Sequence, residues 1–160
     1  MNKILKILIF YLIIIFGCNA QNSLPSDFIP KGYNEFDKYF GDLNKDGLED
    51  CVLLIKNTKI ENIITNRFDK KVDRNRRGII ILFNISKGYQ IIDKNLNCFS
   101  SENEDGGVYF PPELDIEIVN NKLYINYTHG RYGYWKYTFR FQNSNFKLIG
   151  FDSTSNSGPV

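Results

Sequence analysis

Alternating apolar and polar residues fill most of the last third of the chain. From Leu114 to Ile118 aliphatic residues alternate with acidic ones, and from Trp135 to Phe141 aromatic residues alternate with polar ones. A period of two is typical of β-strands with one buried and one exposed face. Short turn signals separate these runs, among them Asn120-Asn121, because asparagine tolerates a positive φ. The pattern predicts four consecutive strands in an antiparallel meander.

Two earlier runs, 51–55 and 78–83, are apolar on both faces. Continuous apolar runs of this length predict central strands that are buried on both sides. Together with the meander they predict an all-β fold: a single domain of mostly antiparallel strands, arranged as a sandwich or as an open, propeller-like sheet. We expect the domain to cover residues 32–152, followed by a flexible polar tail at 153–160.

The first twenty residues have the character of a signal peptide. Lys3 and Lys6 precede an apolar run from Ile7 to Phe16, which is too short to span a bilayer comfortably. The following Ile15-Phe16-Gly17-Cys18 resembles a bacterial lipobox and implies lipidation of Cys18. The alternative is ordinary cleavage after Ala20, which would leave a soluble periplasmic or secreted protein.

Both interpretations predict export, with the lipid-anchored form placed on the bacterial cell envelope. Residues 21–31 are polar and contain prolines, and we expect them to tether the domain to its anchor. The membrane would then be reached through the lipid alone, and about 140 residues would remain for one domain.

The charge balance gives no support to nucleic-acid binding. The full chain carries 20 basic and 18 acidic residues, but Lys3 and Lys6 belong to the signal segment. The remainder is balanced, so it lacks the basic excess that attracts a phosphate backbone. We expect no nucleic-acid partner and a monomeric protein.

One stretch places oxygen ligands at the spacing of a Ca²⁺-binding loop. The five ligand positions are Asp42, Asn44, Asp46, Leu48 (through its backbone carbonyl) and Asp50. Gly47 lies where such a loop must turn sharply. Position 12 is Leu53 in place of the bidentate glutamate of an EF-hand, and a strand follows where an EF-hand has a helix. The stretch therefore predicts a calcium-binding hairpin on a β scaffold; the alternative is a turn rich in Asp and Asn that binds nothing.

The run Gly-Asp-Leu-Asn-Lys-Asp-Gly-Leu-Glu-Asp at 41–50, followed by an apolar strand, resembles the calcium loop of FG-GAP or VCBS-type repeats. Those repeats build integrin-like β-propellers and occur in many exported bacterial proteins. The resemblance covers residues 38–56, and it implies Ca²⁺ as the cofactor and a strand directly after the loop. A propeller would need several copies of the repeat, and the sequence contains one such loop.

With Cys18 assigned to the signal or the lipid, Cys51 and Cys98 are the remaining thiols. Two cysteines in an exported chain predict a disulfide, which would stabilise the fold by roughly 4 kcal/mol in the chain-entropy model. The alternative is a pair of separate thiols.

A second acidic cluster contains Glu102, Glu104 and Asp105. These carboxylates would complete the calcium shell from across the fold, act as a general acid/base pair, or form a solvated loop. The second of these gives the alternative function for the chain: a secreted hydrolase using Glu104 or Asp105 with His129.

The loop at 128–135 carries the single histidine and the single tryptophan of the chain. Its candidate partner-binding residues are His129, Arg131, Tyr132, Tyr134 and Trp135. Aromatic side chains beside an arginine are suited to stacking on sugar rings or on a peptide. The leading functional prediction is therefore a non-enzymatic, calcium-stabilised module that binds a protein or glycan partner.

Overall fold

Strands and short 3₁₀ turns make up the regular secondary structure of the described residues. The structure is a computed structural model that describes residues 23–104 and 111–156. Three 3₁₀ turns lie at Pro25–Phe28, Ile60–Asn62 and Gly130–Tyr132. The ten strands of the described residues are β1 (Tyr33–Gly41), β2 (Asp50–Asn57), β3 (Ile63–Thr65), β4 (Lys71–Asp73), β5 (Arg77–Asn84), β6 (Tyr89–Phe99), β7 (Glu113–Val119), β8 (Lys122–Thr128), β9 (Gly133–Gln142) and β10 (Asn145–Ser155).

Eight of these strands form two four-stranded antiparallel sheets. The first sheet has the order β1-β2-β5-β6 and the second has the order β10-β9-β8-β7, while β3 and β4 form a separate hairpin. The second sheet is the predicted meander. Its β7–β8 turn is made by Asn120 and Asn121, with φ of 51° and 57°, as the sequence predicted. The all-β prediction is confirmed.

The main core lies between the two sheets. Val52, Leu54 and Ile81 from the first sheet pack in one cluster with Ile116 and Leu123 from the second. The rings of Phe83 and Phe141 meet edge to face with 4.7 Å between their centroids, so aromatic contacts also join the sheets. Of the two predicted arrangements, the structure has the sandwich.

A second cluster covers the outer face of the first sheet. It consists of Cys51, Leu53, Ile55, Ile80 and Leu82. Strands β2 and β5 alternate between the two clusters, which explains why their sequences are apolar on both faces.

The segment before β1 closes this outer face. Phe28 and Ile29 pack against the second cluster, and the Ser23 hydroxyl accepts a hydrogen bond from the backbone N–H of Tyr89 at 2.9 Å. The prediction that residues 21–31 form a tether is therefore wrong for the described part of that range. The composition of the segment is mainly polar, but its apolar residues Phe28 and Ile29 pack on the sheet.

The boundaries differ from the prediction at the other end as well. Strand β10 continues to Ser155, which pairs with Gly133, so the strand passes the predicted boundary at 152. Residues 1–20, with Cys18, and the last four residues lie outside the described ranges. Within those ranges no helix is long and apolar enough to cross a membrane.

Candidate functional site

The predicted calcium loop is the connection between β1 and β2. Gly41 pairs with Asp50, so the eight residues between them project from the end of the hairpin. Lys45 and Gly47 take positive φ values of 71° and 81°, and these allow the sharp turn that the sequence predicted at Gly47.

Side-chain oxygens hold this loop together by accepting backbone hydrogen bonds. Asp42 accepts the N–H of Lys45 at 2.6 Å and the N–H of Gly47 at 3.1 Å. Asn44 accepts the N–H of Asp46, and Asp46 accepts the N–H of Leu48 at 2.8 Å. These contacts point the oxygen-bearing side chains toward the inside of the turn.

Asp50 has a different environment because it is fully buried. Its two carboxylate oxygens accept the N–H groups of Leu43 at 2.7 Å and of Asn84 at 3.0 Å. Burial raises the pKa of the Asp50 carboxyl above its usual range, although the same N–H groups oppose that shift. Asp50 thus ties the loop to the end of β5.

Two further contacts join the loop to the second sheet. The side chain of Leu43 is buried in the main core, and the amide of Asn121 donates to the carbonyl of Asp42 at 2.7 Å. The loop therefore contacts both sheets. We expect a ligand that stabilises the loop to stabilise the packing of the two sheets as well.

The donor set suits a hard cation in kind. Asp42 and Asp46 offer carboxylate oxygens and Asn44 offers an amide oxygen, and a carboxylate oxygen that accepts one N–H keeps a lone pair for a metal. Within the described residues no group of three or more His, Cys, Asp or Glu side chains forms a metal-binding arrangement. Calcium binding would therefore depend on the amide oxygen of Asn44 and the carbonyl of Leu48 as well as on carboxylates, and it stays a prediction.

The predicted disulfide is not formed, and both thiols are free. Cys51 lies opposite Leu82 on β5, and Leu82 lies opposite Ile91 on β6. Cys98 comes seven residues after Ile91 along the same strand, which is about 20 Å at the usual rise per residue. A disulfide needs Cα atoms within roughly 7 Å, so the register of β6 prevents the bridge.

The acidic cluster lies at the opposite end of the first sheet from the calcium loop. Glu102 forms an ion pair with Lys56, which lies near the end of β2, whereas Asp50 begins that strand. The six residues from Asp50 to Lys56 extend about 20 Å, so Glu102 does not complete a calcium shell in this structure.

The residues of the hydrolase alternative have separate partners. Glu104 accepts hydrogen bonds from the hydroxyl and the backbone N–H of Ser101, at 3.0 Å and 3.3 Å. The ring of His129 packs against Trp135 at 4.4 Å between centroids. Asp105 lies outside the described residues.

The five candidate partner-binding residues do not share one surface. Successive residues of β9 point to opposite faces, so exposed Tyr134 and half-buried Trp135 face different ways. Arg131 donates to the hydroxyl of Tyr132 at 2.7 Å on the preceding turn. The structure therefore groups His129 with Trp135 and Arg131 with Tyr132, and it leaves Tyr134 apart.

Trp135 belongs to a cleft of about 500 Å³ between the two sheets, called the aromatic cleft below. Its lining residues are Arg76, Cys98, Phe99, Ser100, Pro112, Ile125, Tyr127, Trp135, Tyr137 and Phe139. Tyr127 stacks on Trp135 at 5.4 Å. Sequence reasoning missed Tyr127, Tyr137 and Arg76 as site residues. The alternation from 135 to 139 was the available signal, because it places Trp135 and Tyr137 on one face.

Comparison of the chain with family models, with curated proteins and with solved structures finds no match. The likeness to FG-GAP or VCBS-type loops therefore continues to rest on the residues of the loop itself.

Proposed function

We propose that this chain is a calcium-stabilised, non-enzymatic β module of the bacterial cell envelope that binds a protein or glycan partner through the aromatic cleft. The observation that carries the proposal is the composition of that cleft. Its lining includes five aromatic side chains, and among the described lining residues the one charged group is the guanidinium of Arg76. Glu104 and His129 are not among its lining residues, so its chemistry favours binding over proton transfer.

The cleft has the features by which proteins hold sugars and extended peptides. Ring faces offer large apolar areas with few rotatable bonds, and they bind the apolar faces of sugar rings or peptide side chains. The hydroxyl groups of Tyr137 and Ser100 add hydrogen-bonding capacity, and Arg76 adds a planar donor. Such a combination of rigid aromatic groups and a few polar ones is typical of binding surfaces.

The emission of Trp135, the only tryptophan of the chain, offers a direct test. Titration with oligosaccharides and with peptides should change this emission in a saturable manner for at least one of the two classes. Arg76→Ala should weaken that binding, whereas Tyr134→Ala should leave it unchanged because Tyr134 is on the other face of β9. No saturable change with any ligand, or an equal effect of both substitutions, would contradict the proposed binding site.

Calcium has a structural role in this proposal. Calorimetry with Ca²⁺ should detect one site with Kd in the range of roughly 10⁻⁴–10⁻³ M, because the loop lacks a bidentate glutamate at position 12. Asp46→Ala should abolish the heat of binding. Glu49→Ala is the matched control, since Glu49 is an exposed carboxylate of the same loop that is not a proposed ligand. Equal heats for both variants would show that the predicted ligands are not used.

The envelope location rests on the lipobox-like sequence that ends at Cys18. Labelled palmitate should enter the wild-type protein in a bacterial host and should not enter the Cys18→Ser variant. A mature chain that begins at Gln21 would contradict lipid anchoring and would support the soluble exported form.

A further inference from the structure

A second pocket, of about 340 Å³, lies at the end of the first sheet that is opposite the calcium loop. At this place Arg77 comes close to the second sheet. We call it the Arg77 pocket. It is lined by Arg77, Glu102, Pro111, Pro112, Glu113 and Leu114. Charged groups and an apolar wall occupy the same small space, and of these residues the aromatic cleft shares Pro112 alone.

Arg77 is buried deeply and is only partly satisfied. Its side chain is 3% exposed, and its Nε donates to the carbonyl of Ser100 at 2.9 Å. Its guanidinium lies over the ring of Phe36 at 5.1 Å, which fixes its position. The buried Nη2 has no hydrogen-bond partner within the described residues. A buried guanidinium with an unused N–H is costly unless an acceptor reaches it.

Glu102 provides a buried hydrogen-bond acceptor that is also unused. Its Oε1 accepts from the ammonium of Lys56 and from the amide of Asn103. Its Oε2 is buried and accepts no hydrogen bond from any described residue, and it lies 4.0 Å from Nε of Arg77. The pair is too far apart for a direct hydrogen bond, so one donor and one acceptor stay unused in one pocket.

The charge of the lining restricts the ligand. Among the described lining residues Arg77 carries a positive charge and Glu102 and Glu113 carry negative ones, and the ammonium of Lys56 already pairs with Oε1 of Glu102. A ligand with only one charged group would satisfy either the unused donor of Arg77 or the unused acceptor of Glu102, but not both. A small molecule with adjacent carboxylate and ammonium groups satisfies both.

We propose that the Arg77 pocket binds a free aliphatic α-amino acid. The carboxylate of the ligand accepts a hydrogen bond from Nη2 of Arg77. Its ammonium group donates to Oε2 of Glu102, and Glu113 lies at the rim. The aliphatic side chain of the ligand packs against the apolar surfaces of Pro111, Pro112 and Leu114. The two termini of a peptide do not meet this requirement, because they are not carried on the same carbon atom.

Calorimetry on the full-length chain with L-alanine, L-valine and L-leucine tests the site. At least one of these should show saturable binding with Kd below about 1 mM. The analogues 4-methylpentanoate and 3-methylbutylamine each lack one charged group of leucine and should bind about tenfold more weakly or worse. Absence of saturable binding by all three amino acids would overturn the proposal. Equal binding of leucine and either analogue would overturn the zwitterion requirement.

Substitutions assign the binding to this pocket. Arg77→Lys keeps the charge but removes the fork of donors, and it should weaken binding about tenfold or more. Arg140→Lys is the matched control, because Arg140 lies on β9 and is not among the residues that line the Arg77 pocket or the aromatic cleft. Should Arg77→Lys fail to fold, Glu113→Gln at the exposed rim should still weaken binding. Unchanged affinity in a folded pocket variant would place the ligand elsewhere.

Discussion

The two described thiols differ in their access to solvent. Cys51 is fully buried on β2, whereas Cys98 is exposed and its sulfur lies 3.5 Å from the carbonyl of Asn95. Burial raises the pKa of Cys51 to about 12, and desolvation by the protein atoms around its sulfur raises the pKa of Cys98 to about 11. Since the thiolate is the reactive form, both should react slowly at neutral pH, and Cys51 more slowly.

A maleimide should therefore label one thiol in the folded Cys18→Ser chain. Mass spectrometry should find the label on Cys98, with Cys51 modified only after denaturation. Cys98→Ser should eliminate the native-state label. A chain that takes no label even when it is denatured without reductant would show a disulfide and would contradict this structure.

At the residue scale, the sequence predicts what depends on neighbouring positions. Local backbone preference was sufficient for the Asn120-Asn121 turn, and alternation was sufficient for the buried face of β7. The disulfide prediction was wrong because a disulfide depends on the register between strands, which spacing along the chain does not determine. The unused donor of Arg77 was equally out of reach, since it depends on groups from loops that are distant in sequence.

At the element scale, the segment before β1 acts as a cover for the first sheet. Phe28→Ala should lower the free energy of unfolding by about 1–2 kcal/mol, because a half-buried ring contributes less than a fully buried one. Leu24→Ala, at a mostly exposed position of the same segment, should change it by less than about 0.5 kcal/mol. Urea denaturation measures both. Equal values would show that the segment is not docked in solution.

The β3–β4 hairpin is anchored by Asp73, and this anchor should depend on pH. Desolvation alone would raise the pKa of Asp73, but hydrogen bonds from Asn75 and the ammonium of Lys56 at 3.1 Å hold it below its usual range. A carboxyl with a lowered folded-state pKa stabilises the fold above its unfolded pKa. That contribution is lost as pH falls through the folded value, here between about pH 5 and pH 2.

Asp73→Asn should therefore lose less stability than the wild type on acidification over that window. Its deficit at neutral pH should stay below about 1 kcal/mol, because Asp73 is partly exposed and screened by solvent. Asp69→Asn, in the exposed turn between β3 and β4, is the control and should follow the wild-type curve. Parallel curves for wild type and Asp73→Asn would show that the ion pair with Lys56 does not contribute.

At the scale of the whole molecule, the sandwich is joined unevenly. The calcium loop connects both sheets through Leu43 and Asn121, and close contacts between β1 and β7 join the same side. The aromatic cleft opens between the sheets where β6 faces β8 and β9. Ordering of the loop should therefore stabilise the fold as a whole. The ligand spacing predicted a hairpin loop at this place, but it did not predict the contacts of that loop with the second sheet. The aromatic cleft could not be predicted from the sequence, because its lining residues come from two different sheets.

Calcium should for this reason raise the melting temperature of the entire domain in one transition. Carboxylates of Asp42, Asp46 and Asp50 repel one another in a tight loop, and a cation offsets that repulsion only in the folded state. At a hundredfold excess over Kd the added stability is about 2.7 kcal/mol, which is a shift on the order of 10 °C for a domain of this size. Chelation should reverse the shift, and Asp46→Ala should melt at the chelated value with or without Ca²⁺. An unchanged melting temperature of the wild type at a hundredfold excess of Ca²⁺ over Kd would leave the loop as a turn held by its own hydrogen bonds.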